Sequence, residues 1–212
     1  MRLLLLNIIL ILLLSCENTT HLIDYWKNPT IKTYTPKKVL IIGMTQNKEA
    51  RDLFENTFET QLQILGVDAD KSQVVLNKDL FKEKISEIEI NKIEDSLISL
   101  NYDTVIISRI IGIKNKIKYS DLYYKEHIEQ KNFKEEFILY QDQFYNPNYY
   151  EDYNVYNAET LIYCLCPNTD RNLIWKGSID IIDPTNLKDS VKDYIKLLVL
   201  ILEEEAIIPT PK

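Results

Sequence analysis

The sequence is poor in several residue types on which chemical sites commonly depend. Of 212 residues, only two are histidine, four are glycine and three are cysteine. Two histidines exclude a histidine-rich metal site, and four glycines leave little room for loops that cradle phosphate groups. Basic residues number 25 against 32 acidic ones, which argues against a general nucleic-acid binder because such proteins need a basic surface to displace counterions. We predict no metal site, no cofactor and no nucleic-acid partner.

The first residues have the layout of an export signal. Arg2 precedes an apolar run over residues 3–14, broken only by Asn7, which is too short to span a bilayer because a membrane helix needs about 20 residues. The sequence Leu13-Leu14-Ser15-Cys16 that follows resembles the lipobox of bacterial lipoproteins. The resemblance implies a signal peptide over residues 1–15 and acylation of Cys16, which would attach the chain to a membrane. The alternative is an ordinary secretory signal in which Cys16 is incidental.

The residues after Cys16 predict a polar tether over residues 16–36. The residue after the cysteine is Glu17, and not the aspartate that marks inner-membrane retention in some bacteria. This favours the outer membrane, with the domain on the periplasmic side. Tyr25 and Trp26 interrupt the polar stretch and either dock back onto the domain or contact an interface.

Residues 37–208 predict a single α/β (or α+β) domain. Apolar runs over 38–44 and 103–112 are typical of buried strands, and a weaker strand is predicted near 67–71. Apolar residues with helical spacing predict helices over 47–65 and 90–100. This β-α-β-α-β order implies parallel pairing. Strands over 155–166 and 173–182 then predict a β-hairpin, and a long C-terminal helix is predicted from 183 to about 205, so that helices pack on a mixed sheet.

Residues 120–154 are predicted as an insertion that contains a helix near 133–144. Ten of the 14 tyrosines lie between Tyr119 and Tyr163. Tyrosine supplies a large contact area at low entropy cost, which suits a binding surface. The alternative is that these side chains pack over an open sheet face. The candidate binding residues are Tyr123, Tyr124, Tyr145, Tyr149, Tyr150 and Tyr153.

Two basic features each have two interpretations. Lys114, Lys116 and Lys118 alternate with apolar residues in an extended stretch, which indicates one lysine-bearing strand face. That face is either a binding strip for an anionic partner or a device against edge-to-edge pairing. Arg109 lies inside an apolar run and needs a carboxylate or carbonyl partner. It belongs either to a structural ion pair or to an anion site.

Cys164 and Cys166 lie two residues apart in a predicted strand. At that spacing a disulfide is unfavourable unless the strand is kinked locally. We expect the two thiols to pack as small apolar groups. A redox or copper-binding role is the alternative.

Several features together resemble small, uncharacterised bacterial envelope lipoproteins. They are the lipobox, the Tyr25-Trp26-Lys27-Asn28-Pro29 segment, the strand over 38–44 followed by a helix with Arg51 and Phe54, and the Leu173-Ile174-Trp175-Lys176-Gly177 strand before the last helix. The order of elements is also similar to periplasmic α/β modules of the Tol-system propeller protein, curli-secretion lipoproteins and lipoprotein activators of cell-wall synthases.

The resemblance implies a lipid-anchored interaction or assembly module that binds the membrane through its lipid and contacts another envelope protein. It implies no catalytic residue, and we predict that the chain is not an enzyme. The alternative function is a lipoprotein of the cell envelope that binds a glycan or a small ligand, either with or without hydrolysing it. A cleft with convergent carboxylates beside the tyrosines would favour that alternative.

Overall fold

A six-stranded mixed sheet packed by helices forms the centre of the molecule. The computed structural model describes residues 19–31, 34–76, 84–119, 132–145, 150–166, 172–184 and 186–210. The strands are β1 (Thr20–Lys27), β2 (Lys38–Gly43), β3 (Asp68–Lys71), β4 (Thr104–Tyr119), β5 (Tyr150–Cys164) and β6 (Leu173–Ile182). The five helices of the described residues are α1 (Lys48–Ile64), α2 (Ser72–Val75), α3 (Glu87–Ser99), α4 (Phe133–Tyr145) and α5 (Leu187–Glu204). The predicted α/β fold is confirmed.

The strand order across the sheet is β1-β6-β5-β4-β2-β3. β2 pairs in parallel with β3 and with β4, as the predicted crossovers required. β4, β5, β6 and β1 pair with one another antiparallel. The sheet therefore has a parallel half that follows the crossovers and an antiparallel half that follows the hairpin.

Two long helices, α1 and α5, pack on one face of the sheet. The Asn47 side chain caps α1 by accepting a hydrogen bond from the Ala50 amide at 3.1 Å, and Asn186 caps α5 in the same way. Gly66 follows α1 with φ +79°, a conformation that favours glycine. The apolar stripes of both helices are buried against the sheet. Their buried apolar residues are Phe54, Phe58, Leu62, Tyr194, Ile195, Leu198, Ile201 and Leu202.

A smaller apolar cluster covers the parallel half on the opposite face. Leu97 of α3 and Tyr102 pack there on Leu40 of β2 and Val105 of β4. Because side chains alternate between the two faces of a strand, the neighbours of Leu40 and Val105 point to the other face, which α1 covers. Ser86 precedes α3 and forms a capping box with Glu89. The Ser86 hydroxyl accepts a hydrogen bond from the Glu89 amide, and the Glu89 carboxylate accepts one from the Ser86 amide.

The predicted tether is wrong for Thr20–Lys27, because these residues form β1 and pair with β6 along its whole length. Tyr25 stacks on Trp175 with ring centroids 6.4 Å apart, so this ring docks onto the domain, whereas Trp26 lies on the other face of the strand and is 45% exposed. Most β1 side chains are exposed because the strand lies at the edge of the sheet. Such a strand needs few apolar residues, which explains why its sequence is polar enough to indicate a tether.

The predicted insertion begins after β4 and is shorter than expected. β4 continues to Tyr119, as the alternating pattern predicted, and α4 lies within the insertion. β5, however, begins at Tyr150, so residues 150–154 belong to the sheet and not to the insertion. The predicted signal peptide and Cys16 lie outside the described residues. Within those residues, no helix has the length and apolar character needed to cross a membrane.

Candidate functional site

A cleft of about 500 Å³ opens at the carboxyl ends of the parallel strands. Gly43 ends β2 opposite Ser108 of β4, and the first turns of α1 and α5 form the other sides of the cleft. From β2 the chain passes through α1 to β3, and it then returns through α3 on the other face to β4. Open α/β sheets bind ligands at such a point, where the connections reverse direction.

The side chains around the cleft are mainly apolar and small. They include Phe54, Ile110, Ala158, Ile181, Leu187 and Val191. A Cβ at Gly43 would lie 3.2 Å from the Phe54 ring, so glycine lets α1 approach the end of β2 closely. No described residue that lines the cleft is an aspartate or glutamate. This site could not be recognised from the sequence, because its residues are those of an ordinary core.

A chain of three hydroxyl groups lies at the floor of the cleft. The Ser108 and Thr160 hydroxyls are 2.6 Å apart, and the Thr160 hydroxyl is 2.5 Å from that of Tyr194. Burial raises the pKa of Tyr194, so its hydroxyl stays protonated. Because these groups satisfy one another, the floor does not require a polar group on a ligand.

A buried carboxylate fixes the loop that follows β2. Glu55 Oε1 accepts hydrogen bonds from the Gly43 amide at 2.9 Å and from the Ser72 hydroxyl at 2.7 Å. Burial raises the pKa of Glu55. Arg51, one turn earlier on α1, is also buried, and its Nη1 lies 3.4 Å from the Thr45 carbonyl oxygen. These contacts hold one wall of the cleft and do not line it.

On the opposite face, the antiparallel half carries a row of charged and aromatic side chains. Arg109 Nη2 lies 2.8 Å from Glu159 Oε1, and Lys176 Nζ lies 2.6 Å from Glu159 Oε2. Burial alone would raise the pKa of Glu159, but the hydrogen bonds from Lys176 and Arg109 hold it below its usual value. Arg109 is therefore in a structural ion pair. Trp26, paired with Lys176 across β1 and β6, extends the row and is 45% exposed.

Trp26, Arg109 and Lys176 define what we call the open face. Arg109 and Lys176 each have about half of the side chain exposed, at 47%. Tryptophan and arginine are the residue types that most often dominate the energy of protein interfaces. The open face thus has the composition of a contact surface.

Cys164 and Cys166 pack on the apolar core as expected, but the structure joins them in a disulfide, a pairing that the spacing made unfavourable without a local kink. β5 ends at Cys164, and the backbone bend beyond it brings the two Cα atoms to 5.2 Å. The local kink that the spacing required is therefore present. Among the described residues, no group of three or more histidine, cysteine, aspartate or glutamate side chains could hold a metal ion.

The structure describes three of the six candidate tyrosines. Tyr123, Tyr124 and Tyr149 lie outside the described residues. Tyr145 ends α4 and is 76% exposed. Tyr150 begins β5 opposite Tyr119, and Tyr153 is half-buried opposite Lys116.

Strands β4 and β5 continue beyond the rest of the sheet as a two-stranded ribbon. β2 ends opposite Ser108 and β6 ends opposite Val155. The two-stranded part comprises residues 115–119 and 150–154, and we call it, together with the adjoining pairs at 113–114 and 155–156, the ribbon arm. Ile113 and Ile117 share one face of it and are 59% and 67% exposed, while Lys114 and Lys116 alternate with them. The arm projects from the same end of the sheet as the cleft.

Comparisons with known proteins give only distant likenesses. No protein-family model matches the chain, and no curated protein matches it. A PelC dodecamer from Paraburkholderia phytofirmans is similar at 9% identity and a TM-score of 0.45, over 85% of this chain and 94% of that chain. Lipoprotein GNA1162 from Neisseria meningitidis is similar at 11% identity and a TM-score of 0.41, over 80% and 97%. A PDZ domain protein from Parabacteroides distasonis is similar at 8% identity and a TM-score of 0.38, over 91% and 37%. With such low scores, these likenesses carry no argument about function.

Proposed function

We propose that the chain is a lipid-anchored, non-catalytic interaction module of the bacterial cell envelope. The observation that supports this function best is the open face, where Trp26, Arg109 and Lys176 are exposed on rigid, paired strands. The partner is an envelope protein whose surface offers an aromatic or apolar group for Trp26 and acceptors for the two cations. We place the module at the outer membrane, on the periplasmic side, attached through Cys16.

Two features support a binding role over a catalytic one. On the open face, two cations already engage the carboxylate of Glu159. None of the described residues that line the cleft is an aspartate or glutamate, whereas a glycosidase mechanism requires a pair of carboxylates. The chemistry of both surfaces therefore suits contact and not bond cleavage.

The test is cross-linking in cells, followed by mass spectrometry of the tagged protein. We expect one dominant envelope protein, and we expect its yield to fall at least about tenfold in a Trp26→Ala/Arg109→Ala variant, since such anchors cost more than about 2 kcal/mol on truncation. An Ile64→Ala/Lys196→Ala variant is the matched control, because it removes one exposed apolar and one exposed basic side chain on α1 and α5, the helices that cover the opposite face of the sheet. A Cys16→Ala variant tests the anchor separately. An unchanged partner yield in the first variant would refute this use of the open face.

The cleft favours a second candidate function, the binding of a small apolar ligand. Its support is the location of the cleft at the reversal of the strand connections, together with a lining that is mainly apolar. A fluorescent fatty acid provides the test. We expect one probe per molecule, displaced when Ala50→Trp fills the cleft and retained in Glu49→Trp, which changes an exposed neighbour. Equal binding by both variants would refute this function.

A further inference from the structure

The chain enters the fold at the end of the sheet that carries the cleft and the ribbon arm. Thr20 of β1 pairs with Ile181 of β6, Ile181 pairs with Tyr156 of β5, and Tyr156 pairs with Ile113 of β4. These four residues form one row across four strands. Adjacent strands lie about 4.8 Å apart, so Thr20 and Ile113 are separated by roughly 14 Å.

The position of Thr20 limits where a lipid on Cys16 can lie. The Thr19 carbonyl oxygen accepts a hydrogen bond from the Ile182 amide at 2.7 Å, which fixes the backbone just before β1. Cys16 precedes Thr20 by four residues. Because an extended chain spans at most about 3.6 Å per residue, the Cα of Cys16 lies within roughly 14 Å of that of Thr20.

The ribbon arm extends beyond the same row by an equal length. Ile117 follows Ile113 by four residues in a continuous strand, which corresponds to roughly 14 Å at the rise of a β-strand. A membrane that holds the acyl chains of Cys16 is therefore within reach of Ile117. No rearrangement of the described fold is needed for both to touch one surface.

The side chains of the arm suit the boundary between lipid and water. Ile113 and Ile117 are 59% and 67% exposed, so two large apolar side chains face solvent on one side of the arm. Lys114 and Lys116 alternate with the isoleucines, so they are exposed on the other face of the arm, although the chain as a whole has a net charge of −7. Lysines near a bilayer are attracted to anionic headgroups and keep their ammonium groups in water. Asp152 is exposed opposite Ile117, and the three lysines of the arm exceed its two acidic residues by one.

We propose that the ribbon arm docks on the lipid bilayer, with Ile113 and Ile117 inserted at the membrane surface beside the lipid anchor. This inference rests on the proposed acylation of Cys16. It gives the module two contacts with the membrane, so the domain is held in one orientation and does not swing on a tether. The open face then lies along the side of the molecule, accessible to a partner in the same membrane.

The test measures contact between residue 117 and lipid. The acylated protein, with acylation verified by its mass, is incorporated into vesicles of phosphatidylethanolamine and phosphatidylglycerol with brominated acyl chains, which quench tryptophan fluorescence on contact. We expect Ile117→Trp to add a fluorescence component that the brominated lipid quenches at least about twofold. Ile64→Trp is the matched control, because Ile64 is 70% exposed at the carboxyl end of α1, at the opposite end of the sheet.

The outcomes separate this inference from the proposed function. An Ile117→Trp component that is quenched no more than that of Ile64→Trp, in acylated protein bound to the vesicles, would overturn the docked arm and leave the interaction module intact. Absence of the lipid on Cys16 would overturn the anchor and the docked arm together. Loss of the cross-linked partner in the Trp26→Ala/Arg109→Ala variant concerns the open face alone.

A second measurement does not depend on a new tryptophan. In a Cys16→Ser chain, which carries no lipid, we expect weak binding to the same anionic vesicles, reduced at least about fivefold by Lys114→Glu/Lys116→Glu. The control pair Lys92→Glu/Lys196→Glu makes the same change in net charge at exposed positions of α3 and α5. Equal losses in both double variants would mean that net charge alone governs binding, and would overturn a specific role of the arm.

Discussion

The packing of Trp175 over Gly177 allows a stability prediction from a single added methyl group. Both residues lie on the same face of β6, and the indole ring covers the glycine. A Cβ at position 177 would lie 2.6 Å from Trp175 Cζ2 and 2.8 Å from Cζ3, and closer still to Cη2. Real Cβ atoms do not approach ring atoms this closely, so Gly177→Ala must displace a side chain that is fully buried.

The displacement has little room, because β6 is held between β1 and β5 and Tyr25 stacks on the indole. Overpacking of this kind costs about 1–3 kcal/mol, and we expect the upper half of that range. For a domain of this size each kcal/mol lowers Tm by about 2–4 °C, so the expected loss is roughly 4–12 °C. Urea unfolding followed by circular dichroism measures the free energy. Gly112→Ala, where an added Cβ meets nothing within 4 Å, is the control.

A double-mutant cycle separates the ring contact from any other effect of alanine. The atoms that clash belong to the six-membered part of the indole, whose place a phenylalanine ring fills only in part. Trp175→Phe is itself destabilising because it leaves a cavity, but Gly177→Ala in that background should cost at least about 1 kcal/mol less than in the parent. Equal costs in both backgrounds, or a cost no greater than that of Gly112→Ala, would refute the reasoning.

Two further predictions concern buried carboxylates. Glu55→Ala leaves the Gly43 amide and the Ser72 hydroxyl without their acceptor and should cost about 1–3 kcal/mol in urea unfolding, whereas Glu49→Ala on the exposed side of α1 should change little. Burial alone would raise the pKa of Glu159, but its two cationic partners hold that pKa below the usual 4.5, so its contribution to stability is present above about pH 4.5 and is lost as the pH falls. The free energy of unfolding should therefore decrease less steeply below that pH in Glu159→Gln than in the parent, and equal slopes would contradict the assignment.

The strands that could be predicted from the sequence are those that helices cover on both faces of the sheet. β2 and β4 are covered by helices on both sides, so their apolar runs are continuous and their assignment is confirmed. The helices α1 and α5 have long apolar stripes and side-chain caps, which also mark them in the sequence. β1 has no continuous apolar run, because it lies at the edge of the sheet. Its place in the sheet depends on pairing with β6, about 150 residues later, and no local pattern of Thr20–Lys27 specifies that partner.

The cleft and the projecting ribbon arm could not be predicted because they depend on register and not on composition. An isoleucine at 113 or 117 has the same local pattern whether the strand is covered or projects from the sheet. Only the positions at which β2 and β6 end, opposite Ser108 and Val155, leave both side chains exposed. The row from Thr20 to Ile113 then places the start of β1 and the arm at one end of the sheet. Two segments that appear in the sequence as a tether and an unrelated lysine-rich strand thus lie at one end of the molecule, which is the end that we propose to face the membrane.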